Sequence, residues 1–275
     1  MQSVSVHGID IPALGFGTWQ ITGQACADMV ETALKLGYRH IDTAAIYENE
    51  TEVGQGLKVG GVDRDAVFVT TKVWRENLAA DQVEKAAEDS LKRLKLDHVD
   101  LLLIHWPNPA FPLAGMIEAM NRVRDRGLTR AIGVANFPSV LFDEAQGLSA
   151  APLVTNQVEY HPFLSQKRVL EAARRHGASV TAYSPLARGK IVGDPVLEAI
   201  AKAHGVDVGQ VVLRWLVQQP DVIAIPKTAT PARARSNLDI FGFELSADEM
   251  ARIFALARPD GRLIAPGWGP KWDAE

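Results

Sequence analysis

Cysteine is nearly missing from this chain of 275 residues, with Cys26 the only one. A single thiol excludes an intramolecular disulfide framework and points to a reducing compartment. There is no Cys/His cluster to suggest a metal. An excess of one charge is lacking too. Lys and Arg number 29 against 33 Asp and Glu, a net charge of −4, which asks for neither nucleic acid nor an anionic membrane as partner. No uncharged apolar run is long enough to span a bilayer, and Met1–Gly8 lacks the basic-then-apolar layout of a signal peptide. Linkers and low-complexity stretches are missing, so one domain over residues 1–275 is expected, in a soluble, cytoplasmic protein. The glycine fingerprint of a doubly wound dinucleotide fold is absent as well: Gly15-Phe16-Gly17 has no third glycine and opens no helix, and Gly60-Gly61 is a plain turn.

What is present is a repeat. Val4-Ser5-Val6 and Ile9-Asp10-Ile11 alternate around His7-Gly8 and read as a small hairpin. Eight short apolar segments follow, at about 15–18, 39–42, 67–73, 99–105, 130–135, 153–158, 179–183 and 222–225. Helical patterns come after them, from Ala25 to Leu36, Glu50 to Leu57, Ala80 to Leu94, Leu113 to Arg124, Ser139 to Gly147, Gln166 to Arg175, Pro195 to Ala203 with Val208 to Gln218, and Pro231 to Leu238. Strands that are continuously apolar rather than alternating belong to a parallel sheet covered on its outer face. A doubly wound open sheet competes, but eight evenly spaced units favour an α/β fold of the (β/α)8 TIM-barrel type. Ala247 to Ala257 reads as a last helix outside the repeat. Residues 258–275 are rich in Pro, Gly and Trp and form an irregular tail.

In such a barrel, chemistry collects at the carboxyl ends of the strands. Asp42, Lys72 and His105 fall there, and Tyr47 lies in the loop after Asp42. Each alone has a plain structural explanation: a helix cap, an edge lysine, a core histidine, a packed phenol. On neighbouring strands of one rim they suit proton donation by a phenol. A lysine ammonium nearby would favour the phenolate and lower its pKa, a carboxylate would hold the lysine, and a histidine would bond the oxygen that takes the proton. Trp19, Trp74 and Trp106 follow strand ends and can face the mouth, with Trp268 and Trp272 in the tail. The loops 106–112 and 187–193 are short, which leaves the mouth wide.

The chain resembles the aldo-keto reductase family over essentially its whole length. The matching runs are Gly15-Phe16-Gly17-Thr18-Trp19, Gly37-Tyr38-Arg39-His40-Ile41-Asp42-Thr43-Ala44, Tyr47-Glu48-Asn49-Glu50, Thr71-Lys72-Val73-Trp74, Asp100-Leu101-Leu102-Leu103-Ile104-His105-Trp106-Pro107, Asn156-Gln157-Val158-Glu159-Tyr160-His161-Pro162, Ala182-Tyr183-Ser184-Pro185-Leu186 and Ile225-Pro226-Lys227. The resemblance implies a (β/α)8 barrel with a tail over its mouth that binds NADPH and reduces aldehydes and ketones. It implies Tyr47 as proton donor, supported by Asp42, Lys72 and His105. Asn136 and Gln157 would hold the nicotinamide carboxamide and Tyr183 would stack on its ring. Lys227, Thr228, Arg233 and Asn237 would hold the adenosine end, with Thr18, Trp19, Asp42, Ser184 and Leu186 also against the cofactor. Trp19, Tyr47, Trp74, His105, Trp106 and Trp268 would meet the substrate.

Within the family the chain is most similar to bacterial 2,5-diketo-D-gluconate reductases, on Ile104-His105-Trp106-Pro107 and on Gly261-Arg262-Leu263-Ile264-Ala265-Pro266 with Trp272-Asp273. That implies small dicarbonyl substrates (keto-sugar acids, methylglyoxal) and aromatic aldehydes, and a monomer. Two positions depart from the family pattern: Ala135 stands where a serine is common, and Ser236 where a glutamate is. Two other classes stay open. A barrel hydrolase could use the carboxylates of Asp42 and Glu159, leaving Lys72, Tyr183 and Lys227 without a task. A regulatory subunit could keep the cofactor site without turnover, though it would need no complete proton relay.

Overall fold

The computed structural model describes residues 2–274. It opens with the expected hairpin, β1 (Ser3–Val6) and β2 (Ile9–Pro12), paired antiparallel across His7-Gly8. Then comes a curled parallel sheet of eight strands: β3 (Phe16–Gly17), β4 (His40–Asp42), β5 (Phe68–Val73), β6 (Val99–Ile104), β7 (Thr129–Ala135), β8 (Leu153–Glu159), β9 (Ser179–Tyr183) and β10 (Val222–Ala224). Each strand pairs with the next in sequence. The ends meet. Gly15 N donates to Ala224 O at 2.8 Å, Gly17 N to Pro226 O at 3.0 Å, and Ala224 N to Ala13 O at 2.9 Å. These bonds close the sheet into a barrel.

The helices are α1 (Gly23–Leu36), α2 (Glu50–Val59), α3 (Val83–Leu94), α4 (Leu113–Asp125), α5 (Ser139–Leu148), α6 (Lys167–Arg175), α7 (Pro195–His204), α8 (Val208–Val217), α9 (Pro231–Leu238) and α10 (Ala247–Phe254). They pack on the outside of the barrel, most burying one face and α8 nearly its whole surface. In β6 all six residues are buried. Leu101 and Leu103 join Phe68, Ala131 and Val154 inside, where Val6 and Ile11 of the hairpin complete the cluster. Leu102 and Ile104 join the larger core that the helices share. Two-sided burial explains why these strands read as unbroken apolar runs. Glycine stops α1: Gly37 has φ +113°, and its N–H reaches Ala33 and Leu34, a left-handed cap that a side chain would strain.

Two helix boundaries differ from expectation by three residues. The third helix starts at Val83 rather than Ala80, because the Ala80 carbonyl is taken by Arg122 at 2.7 Å and residues 79–82 form a turn. The last helix ends at Phe254 rather than Ala257, since Leu256 and Ala257 bond three residues back to Ile253 and Phe254, which tightens the chain out of the α-helix.

The tail crosses the barrel mouth. Leu263 N and Ile264 N donate to the two oxygens of Glu159 at 2.7 and 2.8 Å. Gly261 runs so close to the Phe163 carbonyl that a Cβ there would lie 1.7 Å from its oxygen. Trp268 meets Trp74 and Trp106 edge-on, with centroids 6.0 and 5.2 Å away. Trp272 packs on Trp106 at 6.4 Å and under the Arg262 guanidinium at 3.7 Å. Asp273 takes the backbone N–H and hydroxyl of Ser139 at 2.9 and 2.7 Å, at the start of α5. No helix among the described residues is long and apolar enough to cross a membrane.

Candidate active site

The carboxyl ends of the strands surround a cavity of about 1470 Å³. Four of the expected groups meet at its floor. Asp42 ends β4, and Lys72 reaches it from β5 with Nζ to Oδ1 at 2.5 Å. Lys72 also donates to the Thr43 carbonyl at 2.8 Å. Its ammonium lies 5.1 Å from the Tyr47 ring centroid. The Tyr47 ring, on the short turn Ala45–Tyr47 after β4, packs edge-on to His105 at 5.7 Å. Trp74 lies on the other side of His105 at 5.2 Å.

The electrostatics separate these groups. Burial lowers Lys72, while the Asp42 carboxylate opposes that fall. Burial, with Lys72 adding to it, pushes His105 well below its ordinary value, so the ring is neutral. Its Nδ1 is buried with no hydrogen-bond partner, so the single N–H belongs on Nε2. Burial pushes the Tyr47 phenol well above its ordinary value, with Asp42 and Tyr183 adding to the effect. Tyr47 is half-buried at the cavity, so water there softens the shift. The expected lowering by Lys72 is outweighed: its ammonium is shared with Asp42 and Thr43, and burial dominates. The phenol therefore stays protonated.

The expected cofactor residues gather as well. Thr18, Trp19, Asp42, Asn136, Gln157, Tyr183, Ser184, Leu186, Lys227, Thr228, Arg233 and Asn237 all line the one cavity. It runs from Tyr47 along the end of β10 to the first turn of α9. Asn136 has φ +63°. Its amide donates to His105 O at 2.9 Å and accepts from the Tyr183 hydroxyl at 2.6 Å. Gln157 donates to Asp42 Oδ2 at 2.8 Å. A long groove with paired amides at one end and Lys227, Thr228 and Arg233 at the other fits a molecule with a carboxamide ring at one end and a phosphate at the other. Trp19, Trp74 and Trp106 line the wall with Ile264 of the tail. Trp268, also of the tail, packs edge-on against Trp74 and Trp106.

Some participants could not be read from the sequence. Arg188 lies over the Trp19 ring at 4.9 Å, and no pattern links the two positions. Asn49 is buried and donates to the carbonyls of Thr18 and Ile21 at 2.9 and 2.8 Å, which fixes the loop carrying Trp19. Ser236 gives its hydroxyl to Asp207, the cap of α8, so this departure from the family pattern is tied into the cavity wall. Glu159, a candidate catalytic carboxylate in the hydrolase reading, is fully buried and spends its oxygens on the tail and on His161 at 2.9 Å. It lies outside the cavity wall, so Asp42 and Glu159 do not face one another across it.

A sequence model of the Aldo/keto reductase family matches residues 13–258. The chain belongs to that family. It is 41% identical over 269 residues to methylglyoxal reductase DkgB of Yersinia pestis, covering 96% of this chain and all of that one. The crystal structure of a protein assigned as a 2,5-diketo-D-gluconic acid reductase B superposes with a TM-score of 0.98 at 50% identity, over 100% of this chain and 98% of the other. An aldo-keto reductase of Bombyx mori, crystallised with NADP, superposes at 0.87 with 34% identity and 94% of each chain covered. This aldo-keto reductase is therefore an NADPH-dependent oxidoreductase that reduces carbonyl groups.

Proposed function

We propose that this aldo-keto reductase reduces small dicarbonyls, methylglyoxal and keto-sugar acids such as 2,5-diketo-D-gluconate, with Tyr47 as the proton donor. One observation carries the reading: the Tyr47 phenol packs beside His105 and near the Lys72 ammonium at the floor of a tryptophan-walled cavity. NADPH, when bound, supplies the hydride to the carbonyl carbon. The residues of the chain manage the oxygen. His105 Nε2–H donates to it and fixes its position. Tyr47 gives it the proton, so that the carbonyl becomes an alcohol and the phenol a phenolate. Lys72, 5.1 Å from the ring, offsets that new charge, and Asp42 keeps Lys72 in place. Asn136, Gln157 and Tyr183 seat the nicotinamide. Lys227, Thr228 and Arg233, with the first turn of α9, take the 2′-phosphate. Similarity to a methylglyoxal reductase and to a 2,5-diketo-D-gluconic acid reductase supports the substrate class.

The test is loss of NADPH absorbance with methylglyoxal, in the parent and in Tyr47→Phe. General acid catalysis contributes about 10²–10⁴-fold. The variant should lose turnover on that order and still bind NADPH, because only the hydroxyl is removed. Turnover within a few-fold of the parent, with chemistry rate-limiting, would show that another group donates the proton.

A further inference from the structure

Asp42 is bonded on both oxygens. Oδ1 takes the Lys72 ammonium at 2.5 Å, and Oδ2 takes Gln157 Nε2 at 2.8 Å. A carboxylate paired with an ammonium can only accept. Gln157 must therefore turn its NH₂ towards Asp42 and its Oε1 away. The residue is 3% exposed and lines the cavity, and the side-chain bond it makes runs from Nε2 to Asp42, which leaves Oε1 for a ligand. A second amide is fixed by the same logic. Asn136 donates to the His105 main-chain carbonyl, another group that only accepts, and this leaves Oδ1 for the Tyr183 hydroxyl and one N–H to spare. Asn136 N also donates to Gln157 O at 2.9 Å, which holds the two positions together.

The cavity floor thus offers one acceptor, Gln157 Oε1, and one donor, the second Asn136 N–H, each with its sense set by a neighbour that cannot reverse. Ala135 beside them has no hydroxyl to add and lies outside the cavity wall. We propose that Asp42, besides holding Lys72, sets the polarity of the nicotinamide seat and so makes it demand an N–H on the ring's 3-substituent. A carboxamide meets both groups. An acetyl group has no N–H for Gln157, and a carboxylate brings only acceptors, with a charge close to that of Asp42. One carboxylate then serves both the proton relay and cofactor selection. The inference rests on the reading above that the nicotinamide lies at the Asp42 end of the cavity.

Binding alone tests it. NADP⁺, its nicotinic-acid analogue and its 3-acetylpyridine analogue are titrated by quenching of the tryptophans in the cavity wall. The parent should prefer NADP⁺ over each analogue by at least about tenfold, the effect of one buried hydrogen bond lost. Gln157→Met should reduce that preference to within about threefold. Asp42→Asn should do the same, because an amide can meet either end of Gln157 and no longer fixes it. Should Asp42→Asn fail to fold with a bare ammonium inside, the double variant Asp42→Asn/Lys72→Met removes both charges and gives the same readout. Equal affinities in the parent overturn the inference. So does a folded Asp42 variant that keeps the full preference while Gln157→Met loses it, since Gln157 would then need no help from Asp42. Normal NADPH consumption with methylglyoxal alongside equal analogue affinities sinks only this inference. Absence of both NADP⁺ binding and NADPH consumption sinks the reading of the cavity with it.

Discussion

Lys72 shows how much depends on one side chain. It is fully buried, and its ammonium has two partners, the Asp42 carboxylate and the Thr43 carbonyl. Removing one partner of a buried ion pair costs about 3–5 kcal/mol, because the other charge is left uncompensated. Lys72→Met should therefore lower the thermal midpoint by several degrees as well as cut turnover. Calorimetry of the apoprotein separates the two effects, and an unchanged midpoint would mean that water or a rearranged Gln157 replaces the ammonium. Arg233 is the opposite case, an exposed guanidinium on the first turn of α9. Among the described residues its side chain makes no hydrogen bond or ion pair, so its replacement should be felt only by a phosphate. Charge-assisted hydrogen bonds contribute about 1.5–3 kcal/mol, on the order of 10- to 100-fold in affinity. Arg233→Ala should weaken NADPH by about that factor and leave NADH, which lacks the 2′-phosphate, nearly unchanged. Paired titrations decide. Equal losses for the two cofactors would place Arg233 against the adenine or the pyrophosphate instead.

At the scale of elements, the strand ends were legible in the sequence and the tail was not. Asp42, Lys72 and His105 could be placed because each follows an apolar run whose length fixes where the barrel interior stops. Asn136, Gln157, Tyr183, Lys227 and Arg233 came from motif resemblance, and the cavity gathers them all. The hold on the tail is tertiary and leaves no period to read: Glu159 grips Leu263 and Ile264 from 104 and 105 residues away. The contact of Trp268 with Trp74 and Trp106 is equally long-range. Burial works to raise the Glu159 carboxyl, but the bonds from His161 and the two tail amides outweigh it and hold it low. Glu159→Gln removes the charge and turns an NH₂ towards an amide N–H, so one tail bond becomes a donor–donor clash. Hydrogen exchange at Leu263 and Ile264 should speed by at least about tenfold, the effect of losing a charge-assisted bond. Ile264 lines the cavity, so KM for methylglyoxal should rise more than kcat falls. Unchanged exchange at both amides would show that Ser139 and Asp273 hold the tail without Glu159.

The whole molecule is a closed barrel with a hairpin inside one end and a tail across the other. Two buried groups beside its first helix should give its stability an alkaline limit. Cys26 and Tyr38 are both fully buried, in and just after α1. Burial pushes the Cys26 thiol from 9.0 up to about 12, with Glu52 adding to it. Burial likewise raises the Tyr38 phenol far above its ordinary 10.0. Its hydroxyl donates to the Ala234 carbonyl at 2.9 Å and ties α1 to α9, beside the cavity end that holds Arg233. Both groups have a higher pKa folded than unfolded. Their contribution is complete below the unfolded values and is lost as the pH rises through the folded ones. Between the two, each group that ionises only on unfolding costs about 1.4 kcal/mol per pH unit. The urea midpoint should be flat from pH 7 to 8.5, fall from about pH 9 as the thiol enters, and fall more steeply above about pH 10 as the phenol joins. Cys26→Ser should remove the first part of the slope and Tyr38→Phe part of the second. Tyr38→Phe should also lower the midpoint at pH 7, because it strands the Ala234 carbonyl. A midpoint that falls in parallel for the parent and both variants would assign the alkaline loss to other groups, the raised Tyr47 and Tyr183 phenols or the surface charges, rather than to these two.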